Sequence, residues 1–252
     1  MSEQIHIAAA GYGTRLQPHI QQLGYPVGYP KHLLPTGAAD GETFLGRIIR
    51  QALPIASPQP ITVHVNQENQ PHIAAHSDIP RRVRYDTRQY NHSLDMFFEQ
   101  LLVSGERVVG CAGDYYAAED LTALIAHHDA SKFPVTALAG YSVAVDSGIS
   151  YGVNNDNKVT TMQRADRTKS SDPLNIGAYI FEPDPIVMRV IHTYRPTASR
   201  APTDDRIFEA FVRHGLLGAY VTNGPTYNVN TPHTYEAVLQ HTQTFDKQVI
   251  SA

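Results

Sequence analysis

The sequence predicts an α/β fold, a three-layer α/β/α arrangement around a mixed, mostly parallel central sheet. Three observations carry this expectation. Through the first half of the chain, short apolar or β-branched runs alternate with helical stretches, a pattern that favours βαβ units and parallel pairing. In the second half, strand-like runs at 134–144, 157–163 and 174–181 follow one another before a helix returns, so the sheet there is mixed. With 252 residues, 42% hydrophobic and 17% charged, the chain is long enough to bury a sizeable core. One domain over 1–252 is expected, with halves at 1–115 and 116–252.

The elements follow in order. Residues 4–9 (QIHIAA) form a short apolar strand that runs towards Gly11. Residues 43–53 place Phe44, Leu45, Ile48, Ile49 and Leu53 at helical spacing. Residues 60–65 (PITVHV) alternate and are β-branched, which marks a strand, and 81–85 mark a weaker one. Leu94, Phe97, Phe98, Leu101 and Leu102 make a helical stripe over 93–104, and Gly105 is its stop. RVVGCAGDYY (107–116) reads as an apolar strand running into Gly113-Asp114. A helix at 118–130 precedes the three later strands. Thr203, Asp204 and Asp205 open a helix over 203–214 that stops at Gly215. A strand at 216–222, a short segment at 226–229 and a helix from Pro232 complete the pattern.

Composition narrows the function classes. No apolar run approaches the ~18 residues of a membrane span, and MSEQIHIAAAG lacks the features of a signal peptide. Cys111 is the one cysteine, which leaves no intrachain disulfide and no cysteine-built metal site. The expected location is the cytoplasm. A net charge of −4 argues against broad nucleic-acid binding. Of twenty basic residues only five are lysines, at 31, 132, 158, 169 and 247.

The chemistry concentrates after the first strand. In AAAGYGTRLQP (8–18), Gly11 and Gly13 let the backbone turn tightly and approach a ligand. Successive N–H groups there could form an anion-binding concavity. Thr14 adds a hydroxyl, and Arg15 a planar donor suited to phosphate. The alternative is a tight turn with Arg15 merely solvated. The loop is not GxxxxGK[ST], and Leu16 stands where GxGxxG needs its third glycine, so neither a P-loop nor a dinucleotide site is expected. Further on, Pro30 precedes Lys31 in YPKHLLP, fixing the chain where a mobile positive charge would meet phosphate.

Taken together, GxGTRL, the proline-lysine pair and the apolar helix resemble the nucleotidyltransferase family that activates phosphorylated sugars and related small molecules. Gly113-Asp114 is similar to that family's GD motif. Tyr151-Gly152-Val153 with Asn154 to Val159 resembles its YGVV strand pair. Asn175-Ile176-Gly177-Ala178-Tyr179-Ile180-Phe181 resembles its N-x-G-x-Y-x-F strand, and Tyr227-Asn228-Val229-Asn230-Thr231-Pro232 its W-x-D-I-G-T-P segment. Asn91-His92-Ser93-Leu94 is similar to the N-x-x-S-L of the choline-phosphate cytidylyltransferase branch. Asn91 could read a base edge, or Asn91 or Ser93 could simply cap the helix.

The resemblance implies a Rossmann-like fold and transfer of a nucleoside monophosphate from an NTP, CTP favoured, to a phosphorylated acceptor. Arg15 would hold the β/γ-phosphates and Lys31 the α-phosphate or the attacking phosphate. Asp114, with Asn228, would bind Mg²⁺. Ala10, Gly11, Gly13, Thr14, Asn91 and Ser93 would hold the nucleotide. Tyr151, Gly152, Arg164, Lys169, Asn175 and Gly177 would line the acceptor pocket. A homo-oligomer is also compatible with the family.

Three departures stand out. Sixteen positions separate Arg15 from Lys31, a longer interval than the family's, and the extra GYPVGYP reads as a surface loop or a lid. The base-reading turn is not that of the sugar enzymes. Asn228 replaces an acidic metal ligand, and Asn230 stands where the cytidylyltransferase branch can carry a second acid. An amide oxygen is a poorer Mg²⁺ ligand than a carboxylate, so a catalytically impaired nucleotide-binding regulator or scaffold is the alternative. A glycosyltransferase reading lacks its D-x-D motif at Gly113-Asp114-Tyr115-Tyr116.

Overall fold

A computed structural model describes residues 3–11, 13–38, 40–56, 59–90, 93–117, 121–142, 148–164, 172–195 and 203–250. The strands are β1 (Gln4–Ala8), β2 (Thr62–His64), β3 (Arg84–Asp86), β4 (Val108–Ala112), β5 (Tyr115–Ala117), β6 (Val135–Ser142), β7 (Ile149–Val153), β8 (Val159–Arg164), β9 (Leu174–Phe181) and β10 (Leu217–Asn228). The helices are α1 (Gln17–Gln22), α2 (Phe44–Ala52), α3 (Gln70–Ala75), α4 (Ser93–Ser104), α5 (Leu121–Ala130), α6 (Pro185–Tyr194), α7 (Thr203–Arg213) and α8 (Pro232–Ile250).

The strands form one sheet in the order β3-β2-β1-β4-β9-β6-β10-β5, with β7 beside β9 and β8 beside β7. β1, β2, β3 and β4 pair in parallel, as do β6 and β10. β9 lies antiparallel between β4 and β6, and β5 antiparallel to β10. The mixed, mostly parallel expectation is met.

Alternating side chains divide the core between the two faces, as the two-residue period of a strand requires. Val109, Cys111, Ile176 and Ile180 pack with Leu45, Ile48 and Ile49 of α2 and with Leu121 and Leu124 of α5. Val108, Ala137 and Phe181 pack with Phe97, Phe98 and Leu101 of α4, with Val187 and Ile191 of α6 and with Ile207 and Phe211 of α7. A smaller cluster of Leu16, Ile20, Leu34, Phe44, Tyr227 and Tyr235 joins α1 and α8 to the loop around residue 31. Cys111 is fully buried, and burial pushes its thiol up to about 12, so it is an inert core thiol.

Local signals explain several boundaries. Thr43 caps α2 by accepting from the Gly46 N–H, and its hydroxyl donates to Asp78. Gly105 ends α4 at a positive φ of 63°. Asp184 caps α6 by accepting from the N–H groups of Ile186 and Val187. The structure adds α1, α3 and α6 to the expected helices. It also merges 216–222 and 226–229 into β10, whose register shifts between Thr222 and Thr226. Among the described residues no helix is long and apolar enough to cross a membrane.

Candidate functional site

In open α/β sheets, ligands bind beyond the carboxyl ends of strands where the strand order reverses. Here β1 lies between β2 and β4, and three chain ends converge at that edge. The Gly113 N–H donates to Ala8 O at 2.8 Å, and the Val229 N–H to Asp114 O at 2.9 Å. A Cβ at Gly113 would lie 2.9 Å from Ala8 O, so glycine is what lets β4 close onto β1. Asn66 steadies the glycine loop by donating from Nδ2 to Ala10 O at 3.1 Å. Gly11 is exposed, and a Cβ there would meet nothing within 4 Å. Thr14 and Arg15 are exposed, and the Arg15 guanidinium makes no ion pair with a described residue.

Lys31 opens a short 3₁₀ turn, Lys31–Leu33, after Pro30. Leu33 and Leu34 are buried and pin the turn. Gly13, at φ 60°, crosses the lysine's stem, and a Cβ there would sit 3.0 Å from Lys31 Cδ. Lys31 is only 6% exposed. Its ammonium forms an ion pair with Asp114, donates to Asn230 Oδ1 at 2.6 Å and faces Val229 O at 3.4 Å. The Asn230 amide in turn donates to Asn228 Oδ1. Thr234, at the start of α8, holds this segment by accepting from the N–H groups of Asn230 and Thr231. Lower on the same helix, the Thr242 hydroxyl donates to Thr36 O at 2.8 Å.

The electrostatics follow from this packing. Burial alone would raise the Asp114 carboxyl, but the adjacent Lys31 charge and its hydrogen bond hold it below the usual carboxylate range. His32 is buried against Gly113, and burial together with Lys31 lowers it to about 4, so it is neutral at pH 7.

The structure thus gathers Ala10, Gly11, Gly13, Thr14, Arg15, Lys31, Asp114 and Asn228 at one sheet edge. Asn91 and Lys169 lie outside the described residues; Ser93 begins α4. Tyr151 is wholly buried and contributes to the core. Gly152 lies where a Cβ would meet Thr161 Oγ1, and Arg164 ends β8 exposed. Asn175 spans a distortion in β9, donating to the Tyr179 hydroxyl at 2.7 Å and accepting from the Gly177 N–H at 2.9 Å. Gly177 takes φ 98° there, with Ala112 packed against it. The extra GYPVGYP segment is tied down: Tyr25 and Tyr29 stack with centroids 4.5 Å apart, and Gln17 bonds to Tyr29 O and the Gly28 N–H. Arg88 is held by Asp86 and Glu99. His127 and His128 diverge, one against Tyr220 and the other between Thr136 and Glu182.

The sequence reading missed His32 and Asn66. The signal for Asn66 was its place just after β2, level with the glycine loop.

No family model matches the chain, and no curated protein does. Solved structures do. A protein described as a glucose-1-phosphate thymidylyltransferase of Bacillus anthracis, in complex with a sucrose, superposes with a TM-score of 0.72 at 18% identity, covering 95% of both chains. HddC of Yersinia pseudotuberculosis gives 0.66 at 17%, over 96% of this chain and 99% of its own. A UDP-glucose pyrophosphorylase of Acinetobacter baumannii gives 0.66 at 13%, over 100% and 99%. The chain has the nucleotidyltransferase fold. At these identities the likeness establishes the architecture alone.

Mg²⁺ is implied by the sequence resemblance, and the donor set can be tested for it. Among the described residues gathered here Asp114 is the one carboxylate, and no group of three or more His, Cys, Asp or Glu among the described residues could hold a metal. Asn228 and Asn230 offer amide oxygens only. Mg²⁺ is commonly held by one or two carboxylates together with substrate phosphates, so these residues fit the ion jointly with a bound triphosphate.

Proposed function

We propose that the chain transfers a nucleoside monophosphate from an NTP to a phosphorylated small molecule, releasing pyrophosphate. The observation that carries this reading is the Lys31–Asp114 pair, seated at the carboxyl ends of β1, β4 and β10 beside a glycine loop with an exposed Arg15. Sugar 1-phosphates are the favoured acceptors, given the neighbours' named activities. Cytidine is the favoured base on the Asn91–Leu94 pattern.

An oxygen of the acceptor phosphate attacks the α-phosphorus, and the bond from that phosphorus to the bridging oxygen breaks, so pyrophosphate leaves with the electron pair. The acceptor is already a nucleophile, and positioning with charge neutralisation is the protein's task. The loop at Gly11 to Thr14 offers backbone N–H groups to the nucleotide. Arg15 takes the departing pyrophosphate, and Lys31 the α-phosphate. The surface near Gly177 receives the acceptor, with Asn175 fixing its backbone. When bound at Asp114, Mg²⁺ would supply charge neutralisation on the phosphate oxygens.

The test is pyrophosphate release with Mg²⁺, each of the four NTPs, and a panel of sugar 1-phosphates, phosphocholine and small phosphonates. Turnover with one pair supports the reading. Thermal stabilisation by a nucleotide without any turnover supports instead the impaired regulator or scaffold, which the neutral amides of Asn228 and Asn230 favour.

A further inference from the structure

The amides at 228 and 230 have a use in the ligand-free protein. We propose that Asn230, oriented by Asn228, seats the Lys31 ammonium on Asp114 as the site's own cation, so that a divalent ion does not bind until a triphosphate draws the lysine away. The proposal rests on the nucleotidyl-transfer reading for the ion's role.

The geometry supplies the argument. An ammonium has three donors, and Lys31 has three oxygen acceptors around it: Asp114 Oδ2, Asn230 Oδ1 and Val229 O. With the side chain nearly excluded from solvent, the cluster satisfies its own charge. The amide at 230 serves this seat in two ways: its oxygen accepts from the lysine while its nitrogen donates to Asn228. A carboxylate at 228 would add the second negative charge that a divalent ion needs. The backbone holds the seat in shape through the Val229 N–H on Asp114 O and Thr234 on Asn230. Gly13 lies over the lysine's stem, where an added Cβ would stand 3.0 Å from Lys31 Cδ. A cation approaching Asp114 therefore meets a unit positive charge at contact distance. In a partly buried site that repulsion offsets most of what a single carboxylate offers.

The experiment titrates Mn²⁺, which like Mg²⁺ prefers oxygen ligands, into the nucleotide-free protein and reads free Mn²⁺ by electron paramagnetic resonance. The wild type, Lys31→Met and Asn228→Asp are compared, with circular dichroism confirming the fold of each. The expected result is weak uptake at millimolar Mn²⁺ by the wild type. Lys31→Met should show a one-to-one site at least about tenfold tighter, because the ammonium is gone and the carboxylate remains. Lys31→Gln takes its place should Lys31→Met fail to fold, and Asn228→Asp, which adds a carboxylate whatever the lysine does, is the positive control for metal uptake. A folded lysine variant that binds Mn²⁺ no more tightly than the wild type overturns the proposal. Turnover plays no part in this readout, so absent turnover with the expected titration would fell the transferase reading alone.

Discussion

Replacing Gly13 with alanine separates two roles within one loop. At φ 60° a non-glycine residue pays about 1–2 kcal/mol for the left-handed conformation. The added methyl would also stand 3.0 Å from Lys31 Cδ and 3.1 Å from its Cγ, so the lysine stem must yield. For a domain of this size a loss of about 1.5 kcal/mol lowers Tm by roughly 3–6 °C. The displaced ammonium should also lower kcat/KM for nucleotidyl transfer by about tenfold or more. Gly11→Ala is the control, because φ there is not positive and its Cβ would meet nothing within 4 Å. Its Tm should stay within about 1 °C of the wild type, while the methyl, projecting into the cleft, weakens nucleotide binding. Thermal unfolding by calorimetry and nucleotide titration check both. Equal Tm losses for the two variants would refute the reasoning that Gly13 alone bears the strain and the lysine contact.

Three further outcomes are expected. Asp114→Asn leaves a nearly buried ammonium without its counter-charge, which should cost about 3 kcal/mol in a urea titration and abolish pyrophosphate release. Thr43→Ala removes both the cap on Gly46 N–H and the hydrogen bond to Asp78, for about 1–2 kcal/mol by the same measurement. His6 and His64 stay neutral in the fold: burial lowers His6 to about 4, and burial with the neighbouring His6 lowers His64 to about 3, against an ordinary 6.5. Below pH 6.5 the unfolded chain gains protons that the folded one refuses. Stability should therefore fall as pH drops from 6.5 towards 4, by up to about 1.4 kcal/mol per pH unit per histidine. His64→Gln should flatten that slope in urea midpoints taken at pH 7 and pH 5.

Much of the fold was legible because local signals and burial agree. The stripe from Phe44 to Ile49 faces the core, and Thr43 caps it. Leu94 to Leu101 does the same on the other face and ends at Gly105. The misses have physical reasons. α1 and α3 have six residues each, with a proline second, too short to display a helical period. α6, by contrast, was readable and was overlooked: Asp184-Pro185 marks its start, and Val187, Val190 and Ile191 stand at helical spacing. Asn223-Gly224-Pro225 reads as the end of a strand, yet β10 resumes its pairing at Thr226 because β6 continues alongside. Within the site, Arg15, Lys31 and Asp114 stood in recognisable patterns. The Lys31–Asn230 contact joins positions 199 apart in the chain, and no local spacing reveals such a contact. Tyr151 shows the opposite limit: its motif is visible in the sequence, but its complete burial is a property of packing.

The C-terminal buttress also dates the site during synthesis. Lys31 leaves the ribosome well before its partners Val229 and Asn230, and Thr242, which ties the following loop at Thr36, is made later still. Long-range contacts of this kind form only after the intervening chain has been ordered. A nascent chain halted before residue 230 therefore carries an unseated lysine. The lysine seat closes only once the segment that follows β10 has been made.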